Sequence, residues 1–99
     1  MSQTATPHTQ ATVEVTVTYL PAEKPFHRAF PEDATLAVVR SDAMQFFNVA
    51  DYTDRDVHEF QLDSEGNRVD YNLTLAQFLG EHRKGLHLDL VEQVRAGGV

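Results

Sequence analysis

The segment Thr12 to Leu20, TVEVTVTYL, alternates without a break: Val13, Val15, Val17 and Tyr19 fall on one side of an extended chain, and Thr12, Glu14, Thr16 and Thr18 on the other. A period of two is the mark of a strand with one covered and one wet face, because successive side chains of an extended backbone point to opposite sides. Near the far end GLHLDLVEQV repeats the pattern, with Leu86, Leu88 and Leu90 inward against His87, Asp89 and Val91. These are the two most apolar strands of the chain, and they stand at its two ends. That places them at the centre of a sheet, paired with each other across almost the whole sequence.

The residues between them supply the rest of a layer. PAEK reads as a turn and PFHRAF as a returning strand with Phe26 and Phe30 on one face, while Pro25 fits only at its start or edge. In PEDATLAVVRSDAMQFFNVA the period changes: Leu36, Val39, Ala43, Phe46 and Phe47 recur at steps of three and four, the stripe of an amphipathic helix ending near Asn48. Asp33 or Thr35 caps its first turn, since a short side-chain oxygen satisfies amides the helix leaves unpaired. DYTDRD follows as a polar linker, VHEFQLD as a strand, SEGN as a turn into the short run RVDY, and LTLAQFLG as a short helical segment built on Leu75, Phe78 and Leu79 and closed by Gly80. With the first and last strands parallel at the centre and the helix across one face, the expected fold is α+β, a β-grasp with a mixed four- to five-stranded sheet and one main helix.

Ninety-nine residues make one domain. Residues 1–11, small and polar, are expected to be a flexible tail, 12–94 the domain, and 95–99 a second flexible tail. The formal charge is −7 with basic residues dispersed, which argues against a nucleic-acid partner. No cysteine is present, so disulfides, thiolate metal sites and a cysteine nucleophile of its own are excluded, and any thioester chemistry needs a partner's sulfur. The start lacks the apolar centre of a secretory signal and no apolar run reaches spanning length, so a cytoplasmic protein with no membrane partner is expected.

The last residues are Arg95-Ala96-Gly97-Gly98-Val99. Glycine has the largest backbone entropy to lose on ordering and no side chain to pack, so a Gly97-Gly98 pair contributes almost nothing to a fold. Either it is a frayed end or something outside the molecule uses it.

The run LTLAQFLGEHRKGLHLDL followed by the diglycine resembles the last third of ubiquitin. Thr74-Leu75 and Leu86-His87-Leu88 stand at the separation of that family's Thr-Leu and Leu-His-Leu, Phe78 falls where it carries an aromatic, and PEDATLAVV is similar to its helix entry, which favours Thr35 as the cap. The likeness covers roughly Thr12 to Gly98. With a residue after the diglycine, the chain looks most like the bacterial ubiquitin-like modifiers. That resemblance implies an activating enzyme, a conjugating enzyme, a zinc peptidase of the JAB type and target proteins as partners, often in antiphage defence. It implies no bound cofactor, with ATP used by the activating enzyme, and no catalytic residue in this chain. Gly98 would be the acyl donor, Gly97 its companion, the Gly98–Val99 bond the processing site, and Arg95 with Ala96 the part of the tail those enzymes grip. Two further readings stand beside it. One is a sulfur carrier with a Gly98 thiocarboxylate, against which Val99 counts because such carriers usually end at the second glycine; the other is a β-grasp interaction module whose tail does nothing.

Other candidate sites carry less. His82 and His87 match neither a zinc finger nor a helical pair of ligands, so no metal is expected. DSEGN lacks the alternating oxygen ligands of a calcium loop. Glu59, Asp63 and Asp70 are read as a solvated strand face rather than paired acid–base carboxylates. Gln61, His87 and Asp89 occupy the positions where ubiquitin carries the outward aliphatic patch its receptors grip, so a polar, salt-dependent partner surface is expected. Lys24 and Lys84 are the lysines available to accept a second copy.

Overall fold

Alternation in Thr12–Tyr19 is realised as β1, whose Val13, Val15 and Val17 are fully buried. A computed structural model describes residues 12–80 and 85–96. The segment 1–11, His82, Lys84, Gly97, Gly98 and Val99 therefore lie outside the described residues.

β2 (Phe26–Pro31) runs antiparallel to β1 with Val13 opposite Phe30 and Val17 opposite Phe26, so the two phenylalanines share the buried face as their spacing predicts. The helix α1 (Leu36–Phe47) starts at Thr35, whose side chain accepts from the Val38 amide, and stops at Asn48 in the left-handed conformation that asparagine tolerates. Then come β3 (Tyr52–Thr53), β4 (Val57–Ser64), β5 (Asn67–Arg68), a short helix α2 (Leu75–Leu79) and β6 (Gly85–Arg95). Glu65 and Gly66 both take positive φ between β4 and β5, the geometry a two-residue hairpin needs to match strand twist.

The sheet order is β2-β1-β6-β4-β3 with β5 on β4. β1 and β6 pair in parallel at its centre, as the end-to-end pattern requires, while β6 and β4 are antiparallel. α1 covers one face with Leu36, Val39, Ala43 and Met44, joined in one core by Phe60, Leu62, Leu75, Leu88 and Leu90. The starts of the two helices are tied together: the Leu36 amide donates to the Leu73 carbonyl at 2.9 Å and the Leu75 amide to the Ala34 carbonyl at 2.9 Å.

Four expectations change. Two-residue strands raise the sheet to six, because part of the linker DYTDRD pairs with β4 as β3, and the run RVDY pairs only over Asn67–Arg68. Phe46 is 54% exposed, since Met44 takes the core position between Ala43 and Phe47. Asp63 is buried, not on a solvated face, and accepts from the Gln61 side chain at 2.6 Å. Arg95 is the last residue of β6, opposite Val57, and so belongs to the sheet rather than to the tail that was expected to begin with it.

Candidate functional site

β6 carries the chain to its last residue, Arg95, and the exposed Ala96 follows; Gly97, Gly98 and Val99, to which the resemblance assigns the chemistry, come next in the sequence. The neighbourhood from which they leave is polar. Arg95 extends back over the sheet to the Glu59 carboxylate, Nη2 to Oε1 2.9 Å, with both side chains about half exposed or more. On the other face His58 Nδ1 meets Glu92 Oε2 at 2.7 Å, its Nε2 lies 3.4 Å from Asp54 Oδ1, and the Tyr52 ring stacks on the imidazole at 4.1 Å between centroids and 7° between planes. The hydrogen bond to Glu92 is the main reason the His58 pKa is raised; the Asp54 carboxylate adds to it and partial burial works against it. Asp54 is lowered, chiefly by the backbone amide of Asp56 that it accepts. Sequence reading missed this cluster. The residues are ordinary surface types, and only the register that sets Val94 opposite His58 brings Glu92 beside it.

Away from the tail the uncovered sheet face is a set of short polar contacts. Thr16 Oγ1 and His27 Nδ1 are 2.8 Å apart and His27 Nε2 is 2.8 Å from Glu14 Oε1, a hydroxyl, imidazole and carboxylate in line. Both His27 and Glu14 are more than half exposed, so water competes for each bond and the low-dielectric surroundings that sharpen a nucleophile are missing. Thr18 pairs with His87 at 2.7 Å. His87 and Asp89 are exposed, as the patch comparison expected, and Gln61 is half-buried. An open hollow beside them, about 330 Å³, is walled by Thr18, Leu20, Asp63, Asp89, Leu90 and Val91. Leu20, 92% exposed in the β1–β2 turn, gives this face its one prominent apolar side chain among the described residues, and no periodicity singled it out. Among the described residues no group of three or more histidine, aspartate or glutamate side chains is placed to hold a metal. No helix among them is long and apolar enough to cross a membrane.

No protein-family model matches the chain, and no curated protein matches it. Solved structures do. The ubiquitin of Caldiarchaeum subterraneum superimposes with a TM-score of 0.66 at 16% identity, covering 89% of this chain and 100% of that one. A protein described as a molecular mimic of SUMO that promotes DNA repair gives 0.61 at 14% identity over 85% of this chain and 95% of its own. An Arabidopsis thaliana protein solved from evolutionary couplings and sparse NMR data gives 0.57 at 14% identity over 89% of each. At these identities the likeness is one of fold, and the fold is the ubiquitin-like β-grasp.

Proposed function

We propose that this chain is a ubiquitin-like protein modifier, trimmed after Gly98 and joined to other proteins through the carboxylate so exposed. The observation that carries the proposal is positional: on a ubiquitin-like body, the last central strand ends at Arg95, two residues before the diglycine. Side chains next to a reacting carboxylate would obstruct a narrow nucleotide site, and two glycines let the backbone approach closely.

The chemistry follows from Gly98. A zinc peptidase of the JAB type delivers water to the Gly98 carbonyl carbon and cuts the Gly98–Val99 bond, leaving the Gly98 carboxylate and an amine on Val99. The new carboxylate oxygen attacks the α-phosphorus of ATP on an activating enzyme, forming an acyl adenylate and releasing pyrophosphate. A partner's cysteine thiolate displaces AMP to give a thioester, and a conjugating enzyme passes the acyl group to an amine or hydroxyl of the target. This chain is the acyl group throughout. Arg95 and Ala96 lie where those enzymes would meet the tail, with the bacterial, antiphage setting as the context the resemblance suggests.

Intact-mass analysis of the protein isolated from its own cells is the test, together with blots for slower-migrating covalent adducts. The expected outcome is loss of Val99 and a ladder of adducts that vanishes in a Gly98→Val variant, whose branched side chain blocks the channel. Full-length mass with no adducts would sink the modifier. Loss of Val99 with one oxygen exchanged for sulfur, and no adducts, would replace it with a sulfur carrier.

A further inference from the structure

β6 changes character at Leu90. Up to that residue it lies beside β1, whose register with it ends at Tyr19 opposite Leu90; from Val91 to Arg95 it is paired with β4 alone. Anchorage changes at the same point. Leu88 and Leu90 are buried, whereas Glu92, Gln93, Val94 and Arg95 are all exposed, so this stretch contributes no side chain to the core. Segments with few buried apolar contacts are the ones that open first. Besides the ladder, two ion pairs among the described residues hold it, with the Tyr52 hydroxyl donating to Glu92 at 3.4 Å, and the two-residue period puts the pairs on opposite faces: Glu92 with His58 toward the helix side, Arg95 with Glu59 toward the uncovered side.

We propose that Val91–Arg95 is a releasable strap that peels from β4 when a partner takes the tail, and that the Glu92–His58 and Arg95–Glu59 pairs set how readily it does so. The functional part of this rests on the reading of Gly98 as the acyl donor. Reach is the reason. With the strap paired, the three residues Ala96 to Gly98 separate it from the reacting carbonyl, a span of about 10 Å at full extension. Releasing the strap lengthens the free arm by five residues, about 17 Å of contour, so that it can swing away from β4 and carry the carboxylate into a recessed site lying off the strand axis.

His58 gives the strap a pH dependence. The groups facing it are Tyr52 from β3, Asp54 from the loop that follows, and Glu92 from β6. A histidine whose pKa is raised in the folded state adds its stability fully below the ordinary value of 6.5 and loses it as pH rises through the raised value. The strap therefore loosens as pH rises through that raised value, when His58 becomes neutral.

Trypsin reads the strap directly, because cutting after Arg95 requires the residues on both sides to enter a protease cleft in extended, unpaired form. Cleavage of the Arg95–Ala96 bond is followed by mass in the full chain, normalised to a short peptide carrying the same bond, with hydrogen exchange of the backbone amides alongside. Glu92→Gln and Glu59→Gln are each expected to speed that cut about three- to tenfold, the loss of one charge-assisted bond discounted for exposure. Exchange at 92–95 rises in parallel while 85–90 stays protected, and the normalised cut in the unsubstituted chain quickens from pH 6 to pH 8. Unchanged cutting in both variants, or exchange at 85–90 rising together with 92–95, would overturn the strap.

A second arm tests its use. The chain has no cysteine, so Glu59→Cys with Gln93→Cys places one cross-link at a ladder pair inside the strap and leaves Arg95 and Ala96 in place. Formation of the bond is verified by mass, and adduct formation is then assayed in extract of the source cells with ATP. The oxidised form should give no adducts and the form reduced beforehand should give them; adducts from the oxidised form would overturn the requirement for release. If the unsubstituted chain itself forms none, the Gly98 reading fails, and the trypsin and exchange results still decide whether the strap opens.

Discussion

The Asp51 carboxylate makes three short contacts with two donors: its Oδ1 takes the Phe60 amide at 2.8 Å and Arg40 Nη2 at 2.8 Å, and its Oδ2 takes the same Arg40 Nη2 at 2.6 Å. Arg40 also donates its Nε to the Phe60 carbonyl at 2.7 Å, so one guanidinium and one carboxylate pin the helix α1 to both backbone polar groups of a single residue of β4. Burial by itself would raise the Asp51 pKa, but the Phe60 amide and the Arg40 guanidinium outweigh it and the value is lowered. For a carboxylate depressed in this way the stability it adds is present above the ordinary value of 3.8 and is lost as pH falls through the lowered one. Asp51→Ala leaves a half-buried amide and a guanidinium without their acceptor. Because the carboxylate is 43% exposed, the expected cost is toward the low end of the usual range, about 1 to 2 kcal/mol at pH 7. Urea denaturation at pH 7 and again near pH 2 should show the difference between the variant and the parent shrinking on the acid side; a constant difference would mean that the charge is irrelevant.

Leu88 and Phe46 separate what alternation says about a strand from what a stripe says about a helix. Leu88, fully buried on the central strand, should cost about 2 to 5 kcal/mol when cut to alanine, whereas Phe46→Ser on the exposed shoulder of α1 should cost under about 1 kcal/mol, both read by urea denaturation. A strand has two faces, so the period of two in GLHLDL decides every side chain at once. A helix has a continuum of directions, and Phe46 and Phe47, one residue apart, cannot both point inward; the structure turns Phe47 against Tyr19 and leaves Phe46 tilted against Phe26 at the rim. Helix ends were legible for a similar reason of local chemistry: Thr35 caps through its own short side chain, and Asn48 tolerates the left-handed backbone that lets its amide reach the Gln45 and Met44 carbonyls. So was a signal that went unread, since Thr74 and Gln77 stand at capping-box spacing and do exchange both bonds at the start of α2. β3 and the Glu92–His58 contact were not legible. Each exists because two distant segments come into register, and register is a property of the assembled sheet, not of either segment.

Because β1 pairs in parallel with β6, residues on the order of seventy positions apart must meet before the sheet has a centre, a topology that loads the cost of loop closure onto the early steps of folding and suits rates in the millisecond-to-second range. The same topology shows which part of the described chain makes the fold. β6 stands between β1 and β4, and without it neither the strands on one side nor those on the other have a neighbour to close the core around Leu62, Leu36 and Val39. Among the described residues the buried core runs from Val13 to Leu90 and the ladder ends at Arg95. Ending the chain at Gly80 should therefore abolish the cooperative transition, and ending it at Ala96 should leave stability within about 0.5 kcal/mol of the full chain. Far-UV circular dichroism during urea denaturation, with each truncation verified by mass, measures both. A cooperative transition surviving loss of β6 would contradict the topology. A loss of more than about 1 kcal/mol on removing residues 97–99 would show that the diglycine works in the fold, and the argument that it is kept for a partner would lose its footing.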